Sequence, residues 1–171
     1  MSLPNTTPGD YVGEYQIATN KNTSKKLEGY ITRYEKYYLY QLLGCELADL
    51  YIADLQAGGI PQDPRFVAIY EEFCEQDECG YMYISRGIKE MLTGLVYFEY
   101  VKNNNSIVGS SGNVSKEGEN SKEASAWKHD LFNRHNIAVE TATAIQWYIC
   151  DNMTVYPEFK GVEILLNHWS L

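Results

Sequence analysis

The side chains able to carry a proton, a metal or a covalent bond are few in this sequence and poorly spaced for such work. The histidines are His129, His135 and His168. His129 and His135 stand six apart in a stretch of helical periodicity, which turns them to different faces; a metal-binding pair on one helix favours a spacing of four. They read as surface or subunit-contact histidines. Cys45, Cys74, Cys79 and Cys150 form no CxxC pair, and the spacing of Cys74 and Cys79 suits neither a zinc knuckle nor one helical face. All four read as reduced thiols, with Cys45 and Cys150 in apolar surroundings. The acidic run Glu71, Glu72, Glu75, Asp77, Glu78 lacks the alternating carboxylates and central glycine of a calcium loop. It reads as a solvated face that also repels nucleic acid. Gly109-Ser110-Ser111-Gly112 is neither a nucleophile elbow nor a phosphate loop, and reads as flexible. No Ser/His/Asp set or glycosidase-like carboxylate pair assembles. No catalytic residue, cofactor or metal site is therefore expected.

Composition narrows the remaining classes. At 171 residues the length favours one domain. Hydrophobic residues make up 44% and charged residues 22%, which excludes a fully disordered or collagen-like chain. With 14 Lys+Arg against 23 Asp+Glu the net charge is −9, the wrong sign for a duplex-binding footprint. The start, MSLPNTTPGDYVGEY, lacks a basic segment and an apolar run. The longest apolar stretch, Met91 to Val101, is short for a bilayer and contains Glu99. The expectation is a soluble chain, either made in a cytoplasm or packed directly into a particle. Tyrosine is the outlier, with 15 residues. Tyr30, Tyr34, Tyr37, Tyr38 and Tyr40 crowd one helix on more than one side. They read as core plus wet rim, with one side offered to a partner, because tyrosine joins an apolar body to a polar tip.

The elements that would position these residues are mostly helical. Residues 1–23 form an N-terminal arm in which Tyr11 to Ile17 alternates weakly, as an extended segment or edge strand would. Ser24 is the expected N-cap of an amphipathic helix carrying Leu27, Tyr30, Ile31, Tyr34, Tyr38 and Leu42, which Gly44 ends. A second helix is expected from Glu46 to Ala57. Asp63 followed by Pro64 marks the start of a short third one. Ser85 caps the next, running to about Lys102. It is apolar nearly all round, so it should be central, with Gly94 at a close crossing. Asn103 to Gly118 forms a long loop or a hairpin of two short strands. The last helix, uninterrupted from Glu119 to Asn152, begins with an Asn120/Glu123 capping pattern and exceeds what a domain this size needs for its own core. Residues 153–171 read as an extended or hook-like tail.

These segments share motifs with a known family. "ITRYEKYYLYQLLGCELADLYIADL", "PRFVAIYEEF", "SRGIKEMLTGLVYFEYV" and "ENSKEASAWKHDLFNRHNIAVETATAIQWYI" occur in that order. Over residues 24–152 the chain resembles head–tail connector, or adaptor, proteins of tailed bacteriophages, of the crAss-like type. The resemblance implies a small helical bundle repeated as a ring below the portal. The ring would be homo-oligomeric, usually with twelve-fold symmetry, and joined to the portal and to tail or further neck proteins. DNA would pass through the lumen without being specifically bound. It implies no catalytic residue and no membrane partner, and it places the chain at the head–tail junction of a virion.

The fold class expected is mainly α: a small bundle with one long C-terminal helix, an extended arm, a long loop or hairpin and a C-terminal hook. Within the ring reading, Tyr156, Phe159, Leu165 and Trp169 are the expected anchors on the portal or a neighbouring subunit. Asn104, Ile107, Val108 and Val114 are the expected intersubunit or tail-contacting loop residues. A rival reading is a cytoplasmic helical adaptor or regulator acting as a monomer or dimer. Another is a small hydrolase using His129 or His135.

Overall fold

A helix that is apolar on every side must be covered on every side, and the molecule is arranged around one. The computed structural model describes residues 5–17, 20–55, 59–76, 79–109, 112–115 and 121–161, with the backbone alone described for 105–109, 112–115 and 121–128. Its elements are α1 (Lys21–Asp54), α2 (Pro64–Tyr70), β1 (Phe73–Gln76), β2 (Met82–Ser85), α3 (Gly87–Asn105), β3 (Ser106–Gly109), β4 (Gly112–Ser115) and α4 (Ser121–Asp151). The fold is mainly α, with a long C-terminal helix. Residues 91–98 of α3 are buried without interruption.

Two apolar clusters share α3. The larger joins the second half of α1, α2, the first part of α3, the C-terminal half of α4 and the segment after it. The smaller joins the arm, the first turns of α1, the second part of α3 and Leu131 of α4. α4 runs 31 residues, roughly 46 Å at 1.5 Å per residue. It packs against α3 through Ala138, Ala142 and Ile145. No helix of the described residues is long and apolar enough to cross a membrane.

Several junctions show why the chain folds as it does. Gly44 has φ 74°, ψ 171°, so α1 is two helical segments joined at a kink, as the expected break requires. Beside the kink, the buried Gln146 amide of α4 donates to the Leu42 carbonyl at 2.9 Å. α1 begins earlier than Ser24. Asn20 is the N-cap, its side chain accepting from the Thr23 N–H at 2.9 Å. Asp63 caps α2, with Pro64 in the first turn. Ser85 Oγ accepts from the Gly87 N–H at 3.0 Å where α3 begins. Gly87 has φ +82°, and a Cβ there would stand 2.1 Å from the Tyr70 carbonyl oxygen, so no other residue fits.

Three expectations need correction. The arm is neither extended nor an edge strand: it forms two 3-10 turns, Pro8–Asp10 and Gly13–Tyr15, that bury Tyr11, Tyr15 and Ile17 against the bundle. The acidic run does not simply trail from α2. Its residues Phe73–Gln76 form β1, paired antiparallel with β2 in the register Cys74↔Ile84 and Gln76↔Met82. The cysteines are free, but Cys45 and Cys150 are exposed, because each faces away from the apolar stripe of its helix.

Candidate interaction surface

The hairpin of β1 and β2 lies on the last turns of α4. Along β2, Met82 and Ile84 point outward while Tyr83 and Ser85 point inward, the period of two that strand geometry imposes. Tyr83 is held by a hydrogen bond from its hydroxyl to Asp151. Its ring stands edge-on to Trp147 at 5.6 Å, and Tyr81 packs on the same indole at 5.2 Å. On β1, Phe73 lies 4.9 Å from Tyr148.

Four large apolar side chains that border one groove at this joint are exposed. Tyr81 is 57% exposed, Met82 55%, Ile84 65% and Trp147 40%. Glu140, Thr143 and Ala144 of α4 line the groove beside these four. Scattered exposed apolar residues are ordinary, but four adjacent large ones, two of them aromatic, have the make-up of a contact surface. Exposed carboxylates lie beside it: Glu75 on the hairpin, Glu140 and Asp151 on α4.

A second feature is polar and buried. Glu35 sits inside the bundle at 0% exposure. Thr6 of the arm donates its hydroxyl to the Glu35 carboxylate, and Tyr11 lies 3.4 Å from the same hydroxyl. Tyr51 donates to Asn5 Oδ1 at 2.9 Å. Glu35 Oε2 and Asn5 Nδ2 have no partner among the described residues. Desolvation pushes the Glu35 pKa up to about 8; the Thr6 bonds oppose this and the Asp10 charge adds to it. The cluster thus fastens the arm to α1 through a carboxyl group that prefers to keep its proton. Outside it the arm is pinned by Asp10–Lys89 at 2.7 Å and Glu14–Arg86 at 3.0 Å.

The residues singled out from sequence scatter widely. Tyr156 and Phe159 are not free anchors. They are 1% and 2% exposed and belong to this chain's own core. Turns after α4 fold the tail back, and the Tyr156 hydroxyl donates to the Arg65 carbonyl at 2.5 Å. The Arg65 guanidinium in turn grips Glu158 at 3.1 Å. Leu165 and Trp169 lie outside the described residues. Asn104 is engaged within the chain, accepting from Lys26 Nζ and donating to the Tyr100 carbonyl at 2.6 Å. Ile107, Val108 and Val114 fall on β3 and β4, which form the hairpin given as one of two alternatives, with Ile107 opposite Val114.

Of the histidines, His129 is exposed, while His135 is 5% exposed with its ring 4.4 Å from that of Phe98. His135 is a core histidine, because it continues the buried stripe of Leu131, Ala138 and Val139. His168 lies outside the described residues. Among the described residues no three His, Cys, Asp or Glu side chains converge on a metal position.

Sequence reasoning missed the Trp147 surface and Glu35. For the first, the signal was the alternation Met82-Tyr83-Ile84-Ser85. For the second it was spacing: Glu35 falls four after Ile31 and four before Leu39, inside the apolar stripe. Comparison with family models, curated proteins and solved structures returned no match for this chain.

Proposed function

We propose that this chain is a structural subunit of a tailed-phage neck, forming a homo-oligomeric ring that docks on the portal, joins it to the tail and leaves a channel for DNA. The exposed surface of Tyr81, Met82, Ile84 and Trp147 is the observation that carries this reading. A chain acting alone gains nothing by keeping two aromatic and two aliphatic side chains in water, whereas a subunit covers them on assembly. The motif order resembling connector proteins supports the same reading. So does the acidity of the chain, since a conduit that bound phosphate would hold DNA rather than pass it. No reaction is assigned to it.

With Tyr156 and Phe159 committed to the core, the hairpin face takes over the docking role given to the tail. Cross-linking mass spectrometry and gold labelling on purified virions test the proposal. The expected result places the chain at the head–tail junction with cross-links to the portal. Its absence from particles, with the chain found only as a cytoplasmic monomer or dimer, would refute it.

A further inference from the structure

We infer that copies of this chain join head to tail, the acidic and aromatic hairpin face of one copy seating on the basic first half of α1 of the next. This rests on the ring reading above and names the two surfaces that would build the ring.

The basic surface is compact. Lys21, Lys25, Lys26, Arg33 and Lys36, five of the 14 basic residues, lie within sixteen positions of one helix, and all are exposed. Glu28 is the one exposed carboxylate among them, since Glu35 is buried. None of the five makes an ion pair among the described residues. Lys26 donates to the neutral Asn104, and Arg33 and Lys36 rest over the rings of Tyr34 and Tyr40 at 5.5 and 5.3 Å. Tyr37, 53% exposed, adds an aromatic ring to the same segment.

The other basic side chains described, Arg134 excepted, are in ion pairs. Arg65 holds Asp63 and Glu158, Arg86 holds Glu14 and Glu90, Lys89 holds Asp10, Lys102 holds Glu99, and Lys160 holds Glu46. Arg134 donates to the Tyr97 hydroxyl at 2.9 Å. Among the described residues the basic side chains without an ion pair are therefore the five of α1 and Arg134 of α4. On the negative side, Glu75, Glu140 and Asp151 around the hairpin enter no salt bridge among the described residues, and neither do Glu28, Asp49, Asp54 and Asp130 elsewhere.

Position decides the symmetry. The basic end of α1 meets the C-terminal end of α3, through Tyr30 on Tyr100 at 5.3 Å and Lys26 to Asn104. The hairpin meets the N-terminal end, since β2 runs directly into it. α3 has 19 residues, so the two surfaces are set roughly 28 Å apart along the bundle. A two-fold contact of hairpin on hairpin would bring Glu75, Glu140 and Asp151 against the same three carboxylates. Opposite charges meet when different ends of two copies touch, and such a heterologous contact closes into a ring when its rotation allows. The Trp147 centre would supply affinity, while the charged rim would supply steering and register.

Charge exchange in the full-length chain tests this. One variant carries K21E, K25E and K26E; a second carries E75K and E140K. All five positions are exposed, and circular dichroism checks that both variants fold. Each variant alone is expected to need at least tenfold more protein than wild type to assemble, and an equimolar mixture to recover assembly. Carbodiimide coupling of mixed ¹⁴N and ¹⁵N wild-type chains is expected to join Glu75 or Glu140 of one copy to α1 lysines of another. Wild-type assembly by either variant alone, couplings between two hairpins, couplings only to another protein, or no inter-copy coupling would overturn the inference. If wild type forms rings that neither variant disturbs, the assigned surfaces fall and the ring reading stands. If wild type forms none in the presence of portal, the ring reading itself falls.

Discussion

A Cβ placed on Gly94 of α3 would stand 3.0 Å from the Cβ of Ala138 on α4, and 3.3 Å from the Tyr15 hydroxyl of the arm. Three elements meet at that point. Ala138 cannot swing away, because its Cβ is fixed to the backbone. Gly94→Ala is expected to cost about 1–2 kcal/mol despite the helix propensity alanine adds. A Cβ on Gly29 of α1 would meet nothing within 4 Å among the described residues, so Gly29→Ala should stabilise by about 0.5–1 kcal/mol. Urea unfolding of the two variants gives both signs in one experiment.

Glu35 makes stability depend on pH. Its pKa is about 8 in the fold against 4.5 for an ordinary glutamate, so the folded state holds a proton that the unfolded chain releases. The stabilising contribution is complete below about pH 4.5, declines as pH rises toward 8, and is fully lost above that. Glu35→Gln keeps the shape without the ionisation. It is expected to flatten this decline and to add on the order of a few kcal/mol at pH 8.5 relative to wild type. Thermal melts from pH 5 to 8.5 measure it, and an unchanged pH profile in the variant would contradict the assignment.

The tail belongs to the core. Phe159→Ala is expected to cost about 3–5 kcal/mol, the loss typical of a buried aromatic. Tyr156→Phe should cost about 1 kcal/mol through the lost hydrogen bond to the Arg65 carbonyl. Truncation after Asn152 should therefore weaken the fold itself. Chemical denaturation of these variants separates this role from docking, which would leave stability untouched.

The hairpin face should behave in the opposite way. Met82→Ser with Ile84→Ser removes two exposed side chains and is expected to change stability by less than about 1 kcal/mol while abolishing assembly. Denaturation and mass photometry on the same preparation read both effects.

Legibility followed how local each signal is. The Gly44 break, the Asp63-Pro64 start and the central burial of α3 come from neighbouring residues and from period, and all three are in the structure. The Gly94 crossing was readable because a glycine inside an apolar helix needs a reason. The β1–β2 hairpin was hidden by the acidity of Glu71, Glu72 and Glu75, which suppresses strand patterning on one side. Tyr156 and Phe159 were misplaced because an aromatic residue buries equally well against its own chain or another, and only the turn after α4 decides. Glu35 and Thr6 are 29 residues apart in sequence, and nothing local announces that they meet.

Electron cryomicroscopy of the full-length chain mixed with portal rings tests the central claim most directly. A closed ring of this chain on the portal, twelve copies around an open channel, is the expected result. A chain that stays a monomer or dimer and leaves the portal bare at every concentration tried would contradict it.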